Sequence, residues 1–518
     1  MAAVLLLSGC TLGPSQRPAL ATAGPGSLPP VSTDASSSVS SPPSGAGGAP
    51  RTADPVRWTA CDTLPTSATA DGVRYAVDCA TVRPDGSGLL GDPIAVARAR
   101  ADGVPADAPT LVVVSGAPGQ NPADAVVAVA AGLSPAVRDA FAVVTVDLAG
   151  TGPRGVRCLG STAGQALLTM GGDPGSPGAA ALLAEQSREL TFQCGDEIGP
   201  DLTAVNTTTA ADQLDAVRDA LGGGGLRLLG RGWGATLGAV YADRYPGSVA
   251  AMVLDGPADP RAGAVDRLTA VAATAESTFD AFAAACLARQ DGCPLGDDPR
   301  ARVSTLVTDL DTVAGPGSGR ATGGSVLLDL VLSLGEPDDW PALADRVAAA
   351  GSSGVSAADP LLADLATRVG LVGADGSSVP TSGWTSSALV YGCNDTATRL
   401  TSEQLTAAAT TARAGAPLFG AFTVGLLGWC GNWPAPDATL GAVRAAGAPP
   451  LLVLSSTGDP WAPADGVRAL AGQLSSARVV TWQSARSGSY PASACVTGAV
   501  EAYLVSGTTP TADVLCPP

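Results

Sequence analysis

Several strand-length runs of this 518-residue chain carry almost no polar side chain, among them Leu111-Val112-Val113-Val114, Ala250-Ala251-Met252-Val253-Leu254 and Leu451-Leu452-Val453-Leu454. A strand wetted on one face alternates apolar and polar residues. A short continuous apolar run fits a strand buried on both faces, the situation of a mainly parallel sheet covered by helices on each side. Strand-like runs fall at 92–99, 109–115, 141–147, 225–230, 249–254, 450–456 and 477–483. Between them, 206–221 sets Ala210, Leu214, Val217 and Leu221 at helical spacing and stops at a run of glycines, and 233–245 and 494–506 also read as helices. The pattern predicts an α/β architecture with helices on both faces. From 261 to 435 the rhythm breaks into Ala-rich, helix-favouring sequence, which predicts an insertion between two sheet strands, where lids over sites commonly sit.

Two absences narrow the chemistry. The sequence holds no histidine, and its 29 basic side chains are all arginine, since it holds no lysine either. Without His there is no Ser-His-Asp or Cys-His charge system and no His-ligated metal. Without Lys there is no Schiff base, no Walker lysine and no Ser-Lys dyad. The net charge of −18 argues against nucleic acid, whose phosphates would be repelled. No cofactor is expected.

At 225–238 a strand runs into a helix through alternating glycines, Gly-Leu-Arg-Leu-Leu-Gly-Arg-Gly-Trp-Gly-Ala-Thr-Leu-Gly. This is the layout of a nucleophile elbow, G-x-S-x-G, in which the outer glycines let strand and helix approach closely. Gly230 and Gly234 hold the outer positions, and the centre is Gly232. The surrounding segments resemble the tripeptidyl aminopeptidase branch of the secreted bacterial α/β-hydrolases. These are Asn206–Arg218, the elbow, Leu237–Ala242, Met252–Gly256, the loop Ser115-Gly116-Ala117-Pro118-Gly119, Cys393-Asn394-Asp395, Cys430–Pro434, Gly458-Asp459-Pro460, Ser487–Tyr490 and Cys495-Val496. The resemblance spans about 56–516 and implies the α/β-hydrolase fold with a helical lid. Carried over by position, it implies that Asp459 is the triad acid, that Gly232 stands where the nucleophile would be and that Ser487 stands where the histidine would be. It implies that the backbone N–H groups of Ala117 and Trp233 correspond to the oxyanion donors.

The organisation expected is therefore a leader at 1–10, a tether at 11–55, a core half at 56–260, a helical lid at 261–435 and a second core half at 436–518. Leu7-Ser8-Gly9-Cys10 resembles the lipobox of bacterial lipoproteins, with Cys10 the acylated residue. In 11–55, 31 of 45 residues are Pro, Ser, Gly or Ala, too few apolar groups to fold. The other ten cysteines fall into chain-neighbour pairs, Cys61/Cys79, Cys158/Cys194, Cys286/Cys293, Cys393/Cys430 and Cys495/Cys516. After an export signal, an even count suggests disulfides, and the absence of any Cys-x-x-Cys disfavours a metal site. The functional expectation is a monomeric, lipid-anchored protein at the outer face of the cell membrane. It would be catalytically inactive and either bind a peptide or small ester-like ligand or serve as an interaction module of the envelope. The alternative is a His-free hydrolase in which Asp459 and Asp255 assist attack by water.

Overall fold

The computed structural model describes residues 55–85, 88–120, 122–152, 155–314, 319–351, 355–372 and 383–518. The expected lipobox with Cys10, and the expected tether except its last residue, lie outside the described residues. The described residues all belong to one unit, Thr52–Pro518.

Among the described residues ten strands make one sheet: β1 (Ser67–Ala70), β2 (Val73–Val82), β3 (Ile94–Ala101), β4 (Thr110–Val114), β5 (Ala142–Asp147), β6 (Leu226–Arg231), β7 (Val249–Asp255), β8 (Leu451–Ser456), β9 (Ala477–Trp482) and β10 (Val514–Cys516). Their spatial order is β1-β2-β3-β5-β4-β6-β7-β8-β9-β10. β1, β2 and β3 pair antiparallel, as do β3 and β5; every pairing from β5 to β10 is parallel. All seven strand expectations correspond to strands of this sheet, with ends displaced by two residues at most. β1, β2 and β10 were not anticipated.

The apolar runs pack as their lack of alternation requires. Leu228 and Leu229 of β6 are both fully buried but belong to cores on opposite sides of the sheet. Leu228 shares its core with Leu214 and Val217 of the helix Thr207–Ala220 and with Leu237 of the helix Trp233–Arg244. Leu229 packs with Val496, Val500 and Leu504 of the helix Ala494–Ser506. Local chemistry sets the helix ends: Asn206 Oδ1 accepts from Thr209 N at 3.0 Å, and Gly507 closes the last helix at φ 67°.

β7 and β8 are hydrogen-bonded neighbours, yet nearly two hundred residues separate them in sequence, and every α-helix described there, from Ala264–Leu287 to Gly420–Gly425, stands outside the sheet. The chain order reverses direction around β4, between β5 and β6. In parallel α/β sheets a crevice opens at such a reversal, beyond the carboxyl ends of the strands.

Five disulfides join Cys61–Cys79, Cys158–Cys194, Cys286–Cys293, Cys393–Cys430 and Cys495–Cys516, the chain-neighbour pairing. Cys393–Cys430 closes a 37-residue separation between buried positions. Replacing both by alanine is expected to lower the unfolding free energy by about 3–4 kcal/mol. The denaturant midpoint measures this, and an unchanged midpoint would contradict the bridge.

Candidate functional site

The site is built at the carboxyl ends of β4 and β6, which pair through Val114 and Gly230. β6 turns into the helix Trp233–Arg244 at Gly232, whose φ of 56° and ψ of −119° lie where a side chain is strained. The glycines on either side are there for another reason. A Cβ on Gly230 would stand 2.3 Å from the Gly234 carbonyl oxygen, and one on Gly234 would stand 2.0 Å from that of Val114. At Gly232 the nearest atom to such a Cβ is the Gly116 oxygen at 3.7 Å, and the residue is exposed. Packing excludes side chains from the outer positions and leaves room for one at the centre.

The loop after β4 faces this elbow. Gly116, at φ 77°, donates its N–H to the Arg231 carbonyl at 3.2 Å. Ala117 N–H, expected to be an open donor, is occupied instead: it donates to Gln120 Oε1 at 2.9 Å. The Gln120 N–H returns a bond to the Ala117 carbonyl at 3.0 Å, so the turn closes on itself through backbone and side chain. Trp233 N–H, in the first turn of the elbow helix, has no acceptor among the described residues.

On the acid side, Asp459 follows β8 and is buried. Its Oδ1 accepts from Ser487 Oγ at 2.7 Å, Trp461 N at 3.0 Å and Ala462 N at 3.3 Å. The structure thus joins Ser487 and Asp459, and Ser487 N–H donates to the Gly335 carbonyl at 2.7 Å. Next to it Arg486 pairs with Glu336 at 3.0 Å and with Asp338. Asp255, at the end of β7, accepts from Ser489 N on both oxygens at 2.9 and 3.0 Å and from Tyr490 N at 3.1 Å. Burial pushes the carboxyls of Asp255 and Asp459 above the usual carboxylate range. The Arg231 charge opposes this at Asp255, and the Ser487 hydroxyl opposes it at Asp459.

Residues 109–306 match the family model described as alpha/beta hydrolase fold, and residues 416–516 match that of TAP-like protein. The chain has the α/β-hydrolase fold. It is 28% identical to serine protease Hip1 of Mycobacterium tuberculosis over 90% of this chain and 92% of that protein. It is 29% identical to carboxylesterase B of the same organism over 72% and 74%. Tripeptidyl aminopeptidase of Streptomyces lividans is 26% identical over 67% and 64%.

Within this α/β-hydrolase fold, sequence reasoning missed a polar chain from the elbow into the helical segment between β7 and β8. Trp233 Nε1–H donates to Thr207 Oγ1 at 2.7 Å, and Thr207 donates its hydroxyl to Asp395 Oδ2 at 2.7 Å and its N–H to Oδ1 at 2.9 Å. The Trp233 ring meets Tyr391 edge-on at 5.0 Å. Asp395 is held by its neighbour Asn394, whose amide donates to the Leu202 and Val205 carbonyls and accepts from Trp433 Nε1. Of this group the sequence marked Trp233 beside the elbow, Thr207 within Asn206–Arg218, the Cys393-Asn394-Asp395 string and Trp433 within Cys430–Pro434, with nothing to join them.

Burial pushes the Asp395 carboxyl up to about 6, against the opposing pull of the Thr207 donors and the Arg267 charge. The folded state therefore holds this proton more tightly than the unfolded chain, where an Asp titrates near 4. Its stabilising contribution is complete below about pH 4 and is lost as pH rises through about 6. Asp395→Asn removes the titration. The stability of the native chain relative to this variant is expected to fall by up to about 3 kcal/mol between pH 4 and 7, read from denaturant melts. A difference that stays flat over that range would contradict the assignment.

Proposed function

We propose that the chain is a cell-envelope α/β-hydrolase-fold lipoprotein that binds a peptide or small ester-like ligand above the elbow without cleaving it. The observation that carries this reading is the elbow itself, which has the backbone of a nucleophile position and room for a side chain but holds Gly232. Acyl transfer by this fold needs a hydroxyl at that point and a base to take its proton. The chain supplies neither. Ser487 sits on the acid and brings a hydroxyl rather than a base. A carboxylate titrating far below a hydroxyl's own range is a poor general base for it.

A His-free hydrolase gains no support from Asp255, because both its oxygens already accept backbone N–H groups. That the relatives carry the names serine protease, carboxylesterase and tripeptidyl aminopeptidase supports a ligand with an amide or ester group. The lipobox-like Leu7-Ser8-Gly9-Cys10 and the five disulfides support export and anchoring through Cys10.

A fluorophosphonate probe reacts with an activated serine. The chain is expected to show no stoichiometric labelling at any serine by intact mass, under conditions that label an active serine hydrolase fully. One equivalent on Ser487, or on any other serine, would overturn the reading.

A further inference from the structure

The Ala117 N–H beside the elbow is already engaged. Ala117 N–H donates to a side-chain carboxamide oxygen, Gln120 Oε1, at 2.9 Å. That oxygen lies 2.0 Å from where a Cβ on Gly116 would stand, so only glycine at 116 lets the amide in. Gly116 also supplies the three atoms nearest to a Cβ built on Gly232, at 3.7–3.9 Å. The captured amide is thus on the wall that faces the lost nucleophile. Gln120 is exposed, so the contact is made at the open side of the site, where a ligand would enter. Its loop is fixed from behind. A Cβ on Gly119 would come within 3.3 Å of Ser387 Oγ, which donates to the Gly150 carbonyl.

From this geometry we propose that Gln120 is a built-in competing ligand: its carboxamide holds the Ala117 N–H in the free protein, and a ligand enters by putting its own carbonyl oxygen in that place. The inference rests on the reading of the elbow as a binding pocket and names what that pocket selects. The ligand class is acyl compounds, peptides or esters, with an accessible carbonyl. The Trp233 N–H, without an acceptor among the described residues, is the second donor to the same oxygen. A neutral amide-to-amide exchange is close to even in hydrogen bonds, so the self-contact sets a threshold on affinity without closing the site. A carboxylate at position 120 accepts more strongly than an amide and raises that threshold.

The test places a reporter at the elbow. Gly232→Cys puts a thiol where there is room for one, and peptide mass mapping isolates its reaction from the disulfide-bonded cysteines. Iodoacetamide alkylates the thiolate with loss of iodide, and its carbonyl lies one bond from the carbon attacked. Methyl methanethiosulfonate transfers a methylthio group with loss of sulfinate and has no carbonyl. In the Gly232→Cys background, Gln120→Ala is expected to speed iodoacetamide about fivefold, the worth of one neutral hydrogen bond, and Gln120→Glu to slow it. Methyl methanethiosulfonate should change less than twofold in both. Equal acceleration of both reagents by Gln120→Ala would mean that Gln120 only shields the elbow and would overturn the proposal. So would no change in either. Amide hydrogen exchange at Ala117 in the otherwise native chain gives a second reading if the thiol variant does not fold. Gln120→Ala is expected to speed it several-fold, and an unchanged rate would also overturn the proposal. Neither measurement uses turnover, so a failure here is separate from labelling by a fluorophosphonate.

Discussion

The approach of three backbone segments around the elbow holds the rest of the site in place. The Gly234 Cα lies so close to the Val114 carbonyl, and the Gly230 Cα to the Gly234 carbonyl, that one added carbon at either point would fall within 2.0–2.3 Å of an oxygen. Contacts of that kind leave the elbow helix a single way to leave β6. They press its first turn against the loop after β4, and Gly116 bonds back to Arg231. The positive φ at Gly232 follows from this packing. A residue with a side chain in that conformation bears a strain of about 1–3 kcal/mol, and glycine bears little of it. The elbow therefore holds this backbone geometry with glycine at its centre.

Electrostatics give the same picture on the acid side. Two buried carboxyls, Asp255 and Asp459, stand near each other and repel, and no imidazolium is available to offset them. The loop carrying Ser487, Ser489 and Tyr490 does that work with neutral donors, giving one hydroxyl to Asp459 and backbone N–H groups to Asp255. Buried acids hydrogen-bonded in this way are satisfied without a mobile proton. The helical segment between β7 and β8 reinforces the arrangement: the Gly335 carbonyl takes the Ser487 N–H, and a Cβ at Gly335 would fall 2.0 Å from Ser487 Oγ. Position 487 is thus fitted to a small side chain on both sides.

How much of this was legible in the sequence depended on the range of the interaction. The strands buried on both faces were legible because burial removes alternation locally: 249–254 was expected and Val249–Asp255 is found, and 494–506 matches Ala494–Ser506 end to end. The hairpin of β1 and β2 was legible in principle. Val73-Arg-Tyr-Ala-Val-Asp alternates after Asp71-Gly72, which sit at φ 48° and 75° as a tight hairpin turn requires, but its apolar signal is weaker than that of the continuous runs. Gly232, Asp459 and Ser487 could be placed because each sits in a short motif. The Trp233–Thr207–Asp395 chain could not, because its last link joins residues 188 positions apart. Nor could the capture of Ala117 by Gln120, since a residue type beside a turn does not reveal where its side chain folds.

The proposed function stands on an elbow whose centre, Gly232, has room for a side chain and carries none. Pre-steady-state mixing of the full chain with p-nitrophenyl acetate tests this most directly, because an acyl-enzyme intermediate releases one equivalent of nitrophenol before the steady state. An elbow without a nucleophile gives no burst, with release linear from the first time point. A burst equal in amplitude to the protein concentration would mean that a nucleophile works in this chain, and would contradict the proposal of binding without cleavage.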